Sequence, residues 1–160
     1  MAEDQTRRHL LTGFPNAAIH LLRALEDDRQ RIASDHGISP IELRALFRVA
    51  RVGSLTPKQL AADLSVSNGA ITGISTRLVA AGFLHRVAHP NDRRSLYLEL
   101  TAEGHRAMAA IHSDFDAMVG HATLELTTDE LAAATTALNQ VTDAIRARLT
   151  ESRAVDVGRR

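Results

Sequence analysis

Residues 84–100, LHRVAHPNDRRSLYLEL, are the stretch of this chain in which the pattern repeats every second position. Leu84, Arg86 and Ala88 alternate with His85, Val87 and His89, and Leu96, Leu98 and Leu100 alternate with Ser95, Tyr97 and Glu99. A period of two belongs to a strand with two unlike faces. Between the two runs, Pro90-Asn91-Asp92 supplies a fixed φ and side chains that bond to their own backbone, which favours a turn. The stretch therefore predicts a β-hairpin whose tip carries Asp92, Arg93 and Arg94. Apolar residues on either side recur at three and four, so the hairpin must be a small attachment on an otherwise helical protein, a mainly α fold.

Four helices are expected before it and two after. The first, over residues 12–35, carries Phe14, Ala18, Leu21, Leu22, Leu25 and Ile32 and stops at Gly37. Ser39, Pro40 and Glu42 then combine an N-cap, a first-position proline and a capping-box acid, opening a helix through Leu43, Leu46 and Ala50 that Gly53 closes. Thr56-Pro57-Lys58-Gln59 repeats that signature for a helix of about two turns. Ser67 caps the next, with Ile71, Ile74 and Leu78 facing inward and Gly82 at its end. Two short helices joined by a tight turn make a helix-turn-helix. After the hairpin, Thr101 with Glu103 and Gly104 starts a long helix. Thr127-Thr128-Asp129-Glu130 caps the last, where Leu131, Ala134, Leu138, Val141 and Ile145 fall at spacings 3, 4, 3, 4, a heptad seam that wants a partner helix. The tail from Glu151 has no pattern and is expected to fray.

With 160 residues the chain fits one domain, or one domain with helical extensions, with one compact unit as the default, and with aromatics at 3% its core must be aliphatic. The absence of cysteine excludes disulfides and thiolate metal sites. Neither a leader-like start nor a membrane-length apolar run is visible, so the expectation is a cytoplasmic protein without a membrane partner. Lysines plus arginines equal acids at 19 each, but they are unevenly placed. Residues 65–98 carry Arg77, Arg86, Arg93 and Arg94 against Asp92, net +3, whereas residues 107–150 carry six acids against Arg146 and Arg148, net −4. One surface is built to meet an anion and another is not.

The order of these helices around the hairpin, together with GFLHRVAHPNDRRSLYLELTAEG, resembles the MarR family of bacterial transcriptional regulators. The likeness extends over about residues 12–149 and is tightest from Thr56 to Gly104, where Asp92-Arg93-Arg94 and Leu100-Thr101-Ala102-Glu103-Gly104 match the family's wing and the helix start after it. The resemblance implies a single MarR-like domain over 1–160. Within it lies a winged helix-turn-helix at 36–104, flanked by dimerisation helices at 12–35 and 105–149. It further implies a ligand-responsive repressor, acting as a homodimer on a pseudo-palindromic operator in double-stranded DNA. No enzymatic activity and no cofactor are implied.

The helix from Ser67 is then the candidate major-groove reader. Its outward residues are taken to be Asn68, Gly69, Thr72, Ser75 and Thr76, small polar groups suited to bases, phosphates and thymine methyls. The helix N-terminus with the Ser67 hydroxyl favours a phosphate. Where many relatives resemble LTRLVDRL, this chain has Gly73 in place of an arginine and Thr76 in place of an acid, which moves weight toward the wing, backbone contacts or DNA shape. Arg77 matches the family's arginine, as a phosphate or base contact or as one side of a helix-surface ion pair. In the wing, Arg94 is the candidate for the minor groove and Arg93 for phosphate, while Asp92 holds the tip. Lys58 is a further phosphate candidate. The family's effectors, often phenolic or other aromatic acids, enter between the dimerisation helices and the winged domain. Phe14, Ile19, Leu22, Phe47 and Phe115 are candidates to line that cleft, each also readable as plain core.

Other readings stand beside this one. His112 and Asp116 share a helix face, with His105 one heptad before His112, and with His36 or Glu42 they would suit a metal-responsive regulator of the same fold; a surface pair is the plainer meaning. A winged-helix module that binds protein instead of specific DNA is the other alternative. An enzyme is disfavoured, because no G-x-S-x-G, phosphate-binding glycine loop or H-E-x-x-H occurs.

Overall fold

The computed structural model describes residues 11–88 and 95–157, and side-chain burial through residue 151. It has six helices and a small three-stranded antiparallel sheet among those residues: α1 (Gly13–Asp35), α2 (Pro40–Val52), β1 (Ser54–Leu55), α3 (Pro57–Leu64), α4 (Asn68–Ala80), β2 (Leu84–Ala88), β3 (Leu96–Leu100), α5 (Ala102–Ala122) and α6 (Thr128–Val157). The chain divides after His112 into two compact units. None of the described helices is long and apolar enough to cross a membrane.

The expected punctuation places these helices. The Ser39 hydroxyl accepts from the Glu42 amide while the Glu42 carboxylate accepts from the Ser39 amide at 2.8 Å. Thr56 and Gln59 do the same at the start of α3, and Thr127 and Glu130 satisfy each other ahead of α6. Glycine is needed where α2 ends, because Gly53 sits at φ +90°, a region that a Cβ disfavours. After α4 the chain turns through Gly82 at φ +80°, and Phe83 N–H donates to the Leu78 carbonyl across it.

The hairpin forms as the alternation requires, with Leu84 opposite Leu100 and Val87 opposite Tyr97. The tip, from His89 to Arg94, lies outside the described residues, and with it Asp92, Arg93 and Arg94. Two elements differ from the sequence reading. β1, which pairs Ser54 with Glu99 and Leu55 with Leu98, was not expected: two residues cannot establish an alternation, and long-range pairing with β3 makes the strand. α6 runs to Val157 instead of fraying from Glu151, since a helix already nucleated adds further turns without an apolar pattern of its own.

The core of the first unit is largely aliphatic, with Phe83 as an aromatic member: Leu43, Leu46 and Val49 of α2, Leu60 and Leu64 of α3, Ile71, Ile74 and Leu78 of α4, Leu84, Leu98 and Leu100 of the sheet, and Met108 and Ile111 of α5. The start of α5 is locked to the base of the hairpin. Thr101 donates its hydroxyl to the Gly82 carbonyl at 2.6 Å and accepts from Gly104 N–H at 3.0 Å, and its own N–H donates to the Phe83 carbonyl at 3.0 Å. Gly104 then packs directly on that carbonyl; a Cβ there would stand 2.2 Å from the Phe83 oxygen.

Outside this core the apolar stripes are open. On α1, Ile32 and Ala33 are buried, but Phe14, Leu21 and Leu22 are exposed. In the second unit the same holds for Phe115, Met118, Val119, Leu131, Leu138, Val141 and Ile145, and no residue of α6 through Glu151 is buried.

Candidate nucleic-acid interface

α4 is amphipathic in the sense a reading helix requires. Ile71, Ile74, Ser75 and Leu78 form its buried arc against α2 and α3. Asn68, Gly69, Thr72, Thr76 and Arg77 lie on the exposed side, with Gly73 half-buried at its edge. The open face has two parallel rows at spacing four. One is Asn68, Thr72 and Thr76; the other is Gly69, Gly73 and Arg77. At the helix start, the Ser67 hydroxyl accepts from Ala70 N–H at 3.2 Å, which leaves other amides of the first turn pointing outward.

Several hydroxyls already have protein partners. Thr72 donates to the Asn68 carbonyl at 2.8 Å, and Thr76 accepts from Arg86 Nη2 at 3.0 Å. The expectation that Ser75 faces outward is corrected: it is 2% exposed and donates to the Thr72 carbonyl at 3.1 Å. Position 75 falls in the same arc as 71, 74 and 78, and a back-bonded serine can be buried at small cost. Lys58, at the second position of α3, is exposed.

Arg77 does not project freely. Its Nε pairs with Oε1 of Glu42, a carboxylate at the start of α2 whose side chain is 6% exposed against 63% for Arg77. Burial pushes the Glu42 carboxyl up. Hydrogen bonds from the Ser39 amide, from Arg77 and from the Ser39 hydroxyl, with the charge of Arg77, outweigh burial and hold it below the usual carboxylate range. A second cross-element pair joins Arg48 of α2 to Asp63 of α3. Nothing in the sequence marked Arg86 as a partner of α4, although its place on the stem of the hairpin was visible, and the sequence pointed to Glu42 as a cap and as a candidate metal ligand but not as the partner of Arg77.

Phe47 packs against the core and stacks on His112 with ring centroids 6.0 Å apart. Ile19 is half-buried, whereas Phe14, Leu22 and Phe115 are exposed. Glu42 is engaged by Ser39 and Arg77, and His36 meets Phe83 edge-on at 6.3 Å. Among the described residues no group of three His, Asp or Glu side chains is arranged to hold a metal ion.

A helix-turn-helix of α3 and α4 backed by α2, with an antiparallel hairpin beside α4, defines a winged-helix DNA-binding regulator. The sequence model described as MarR family matches residues 38–96. The chain is 31% identical over 122 residues to the multiple antibiotic resistance protein MarR of Escherichia coli, covering 70% of this chain and 81% of that one. It is 32% identical over 98 residues to the HTH-type transcriptional regulator FarR of Neisseria gonorrhoeae, covering 61% and 67%. Among solved structures, the apo form of wild-type E. coli MarR superposes with a TM-score of 0.64 at 27% identity, over 82% of this chain and 98% of that one. NadR in complex with 4-hydroxyphenylacetate superposes at 0.61 and 25% identity, over 84% and 95%. The chain belongs to the MarR family; its members are transcriptional regulators and not enzymes.

Proposed function

We propose that this regulator is a ligand-responsive repressor that binds a pseudo-palindromic operator as a homodimer. The observation that carries the reading is the split character of α4, with Ile71, Ile74, Ser75 and Leu78 buried while Asn68, Thr72 and Thr76 stand in an exposed row. That row meets base edges in the major groove, and the first turn of α4 with Ser67, Asn68 and Gly69 meets a phosphate. Lys58 and Arg93 add phosphate contacts, Arg94 enters the minor groove, and Asp92 holds the wing tip. The open apolar stripe of α1 and that of α6 each support pairing with a second copy, since large apolar side chains lined up along an exposed helix face mark an interaction surface. Two copies related by a two-fold axis set their reading helices roughly 34 to 36 Å apart, one turn of DNA.

Effector binding works only through different affinities for the states that fit and misfit that spacing. An aromatic or phenolic acid is the proposed ligand class, with Phe14, Ile19, Leu22, Phe47 and Phe115 as candidate contacts. The complex of NadR with 4-hydroxyphenylacetate supports that class.

Fluorescence anisotropy with the DNA upstream of the protein's own gene tests the reading. Binding should survive an excess of unrelated DNA and fall sharply in Arg94→Ala. Equal, weak binding to both DNAs, unchanged by the substitution, would count against it.

A further inference from the structure

Arg77 and Glu42 are 35 residues apart in the sequence and joined in the structure. The same carboxylate that accepts from Ser39 N–H, closing the start of α2, offers its other oxygen to the recognition helix. Because Glu42 is buried, removing its cation would leave an uncompensated charge in the protein, so the pair is more than a surface decoration. Gly73 belongs to the same arrangement. Its ideal Cβ would lie 3.4 Å from Arg77 Nη1, so the guanidinium lies back along the helix over the glycine. A large side chain at position 73 would contest that space.

We propose that Arg77 is a positioning residue: held by Glu42 and seated over Gly73, it fixes the rotation of α4 and so aims Asn68, Thr72 and Thr76 at the bases. This rests on the DNA-reading role of α4 proposed above. It also gives a reason for a glycine that otherwise only weakens the helix. The buried arc of α4 is aliphatic apart from Ser75 and grips without direction. The ion pair at its flank supplies the angular constraint that apolar packing lacks, as support for a recognition surface requires.

The sign of one substitution separates positioning from direct contact. Wild-type protein first selects duplexes from a randomised pool. The most enriched duplex, and a scrambled duplex of the same composition, are then titrated with wild type, Glu42→Gln and Arg77→Lys over a range of salt. Glutamine at this position still closes a capping box, so α2 keeps its start, and the thermal midpoint and circular dichroism of each variant check the fold. Glu42→Gln deletes a negative charge beside a DNA-facing helix and frees Arg77. If Arg77 were simply a phosphate contact, binding would stay the same or tighten.

Positioning predicts the opposite. The selected duplex should lose about tenfold in affinity, the size of one mismatched base pair, while the scrambled duplex barely changes. The slope of affinity against salt should be unaltered, because the number of neutralised phosphates is the same. Arg77→Lys, which keeps the charge but not the planar fork, should behave likewise. Wild-type or tighter binding of the selected duplex by Glu42→Gln overturns the proposal. Equal weakening on both duplexes also overturns it, because that reports loss of fold and not of aim. A pool from which wild type enriches nothing removes the DNA-reading premise itself, and the proposal with it, a failure distinct from the other two.

Discussion

Glu42 shows how one side chain can serve two elements. Its depressed folded-state pKa makes its interactions a stabilising contribution that depends on pH, with a definite sign. The unfolded carboxyl titrates near 4.5, so the contribution is fully present above that value and is lost as pH falls through the lower folded value. Thermal midpoints measured from neutral pH downward should therefore fall less steeply in Glu42→Gln than in wild type over the acid range, and the two profiles should run parallel near neutrality. Equal steepness in acid would show that Glu42 is not held as the structure has it. Ser75 makes the complementary point. Its chemistry says surface and its position says core, and position wins because the Thr72 carbonyl satisfies the hydroxyl.

Elements were legible where local chemistry fixes them. The three capping boxes and the Ser67 cap could be read from four-residue windows, since a cap is satisfied within its own turn. The hairpin was legible from its period, and the arrangement of α3 and α4 from their lengths and the turn between them. β1 was not, because its two residues are a strand only by virtue of β3. The Glu42 to Arg77 and Arg86 to Thr76 bonds were not, because each joins segments that only the fold brings together. The start of α5 lies between these cases: Thr101 and Gly104 announce a helix, but only the structure shows that the glycine is there for the Phe83 carbonyl. Gly104→Ala would force α5 and the base of the hairpin apart. The expected cost is about 1 to 3 kcal/mol, the range for overpacking a tight contact, read as a lowered midpoint in urea. A variant as stable as wild type would mean that the contact is looser than 2.2 Å implies.

At the scale of the molecule, the contrast is between a closed, largely aliphatic core in the first unit and open apolar stripes elsewhere. Leu138 is 48% exposed in the single chain, where leucine gains nothing from water. With Leu138→Asp, sedimentation should give a monomer or an unfolded chain, because a charge would be placed in the middle of the proposed seam. A well-folded dimer after that change would put the interface elsewhere. Wild-type thermal stability should rise with protein concentration, as it does whenever folding and association are linked. The proposed seam on α6 and the proposed reading face on α4 belong to different units of the chain. A copy damaged in α4 would therefore keep its capacity to pair, and in a cell making both forms it would draw intact copies into crippled mixed pairs. Defects of the reading helix should be inherited as dominant, while defects of the seam, which leave the intact copies to find one another, should be recessive.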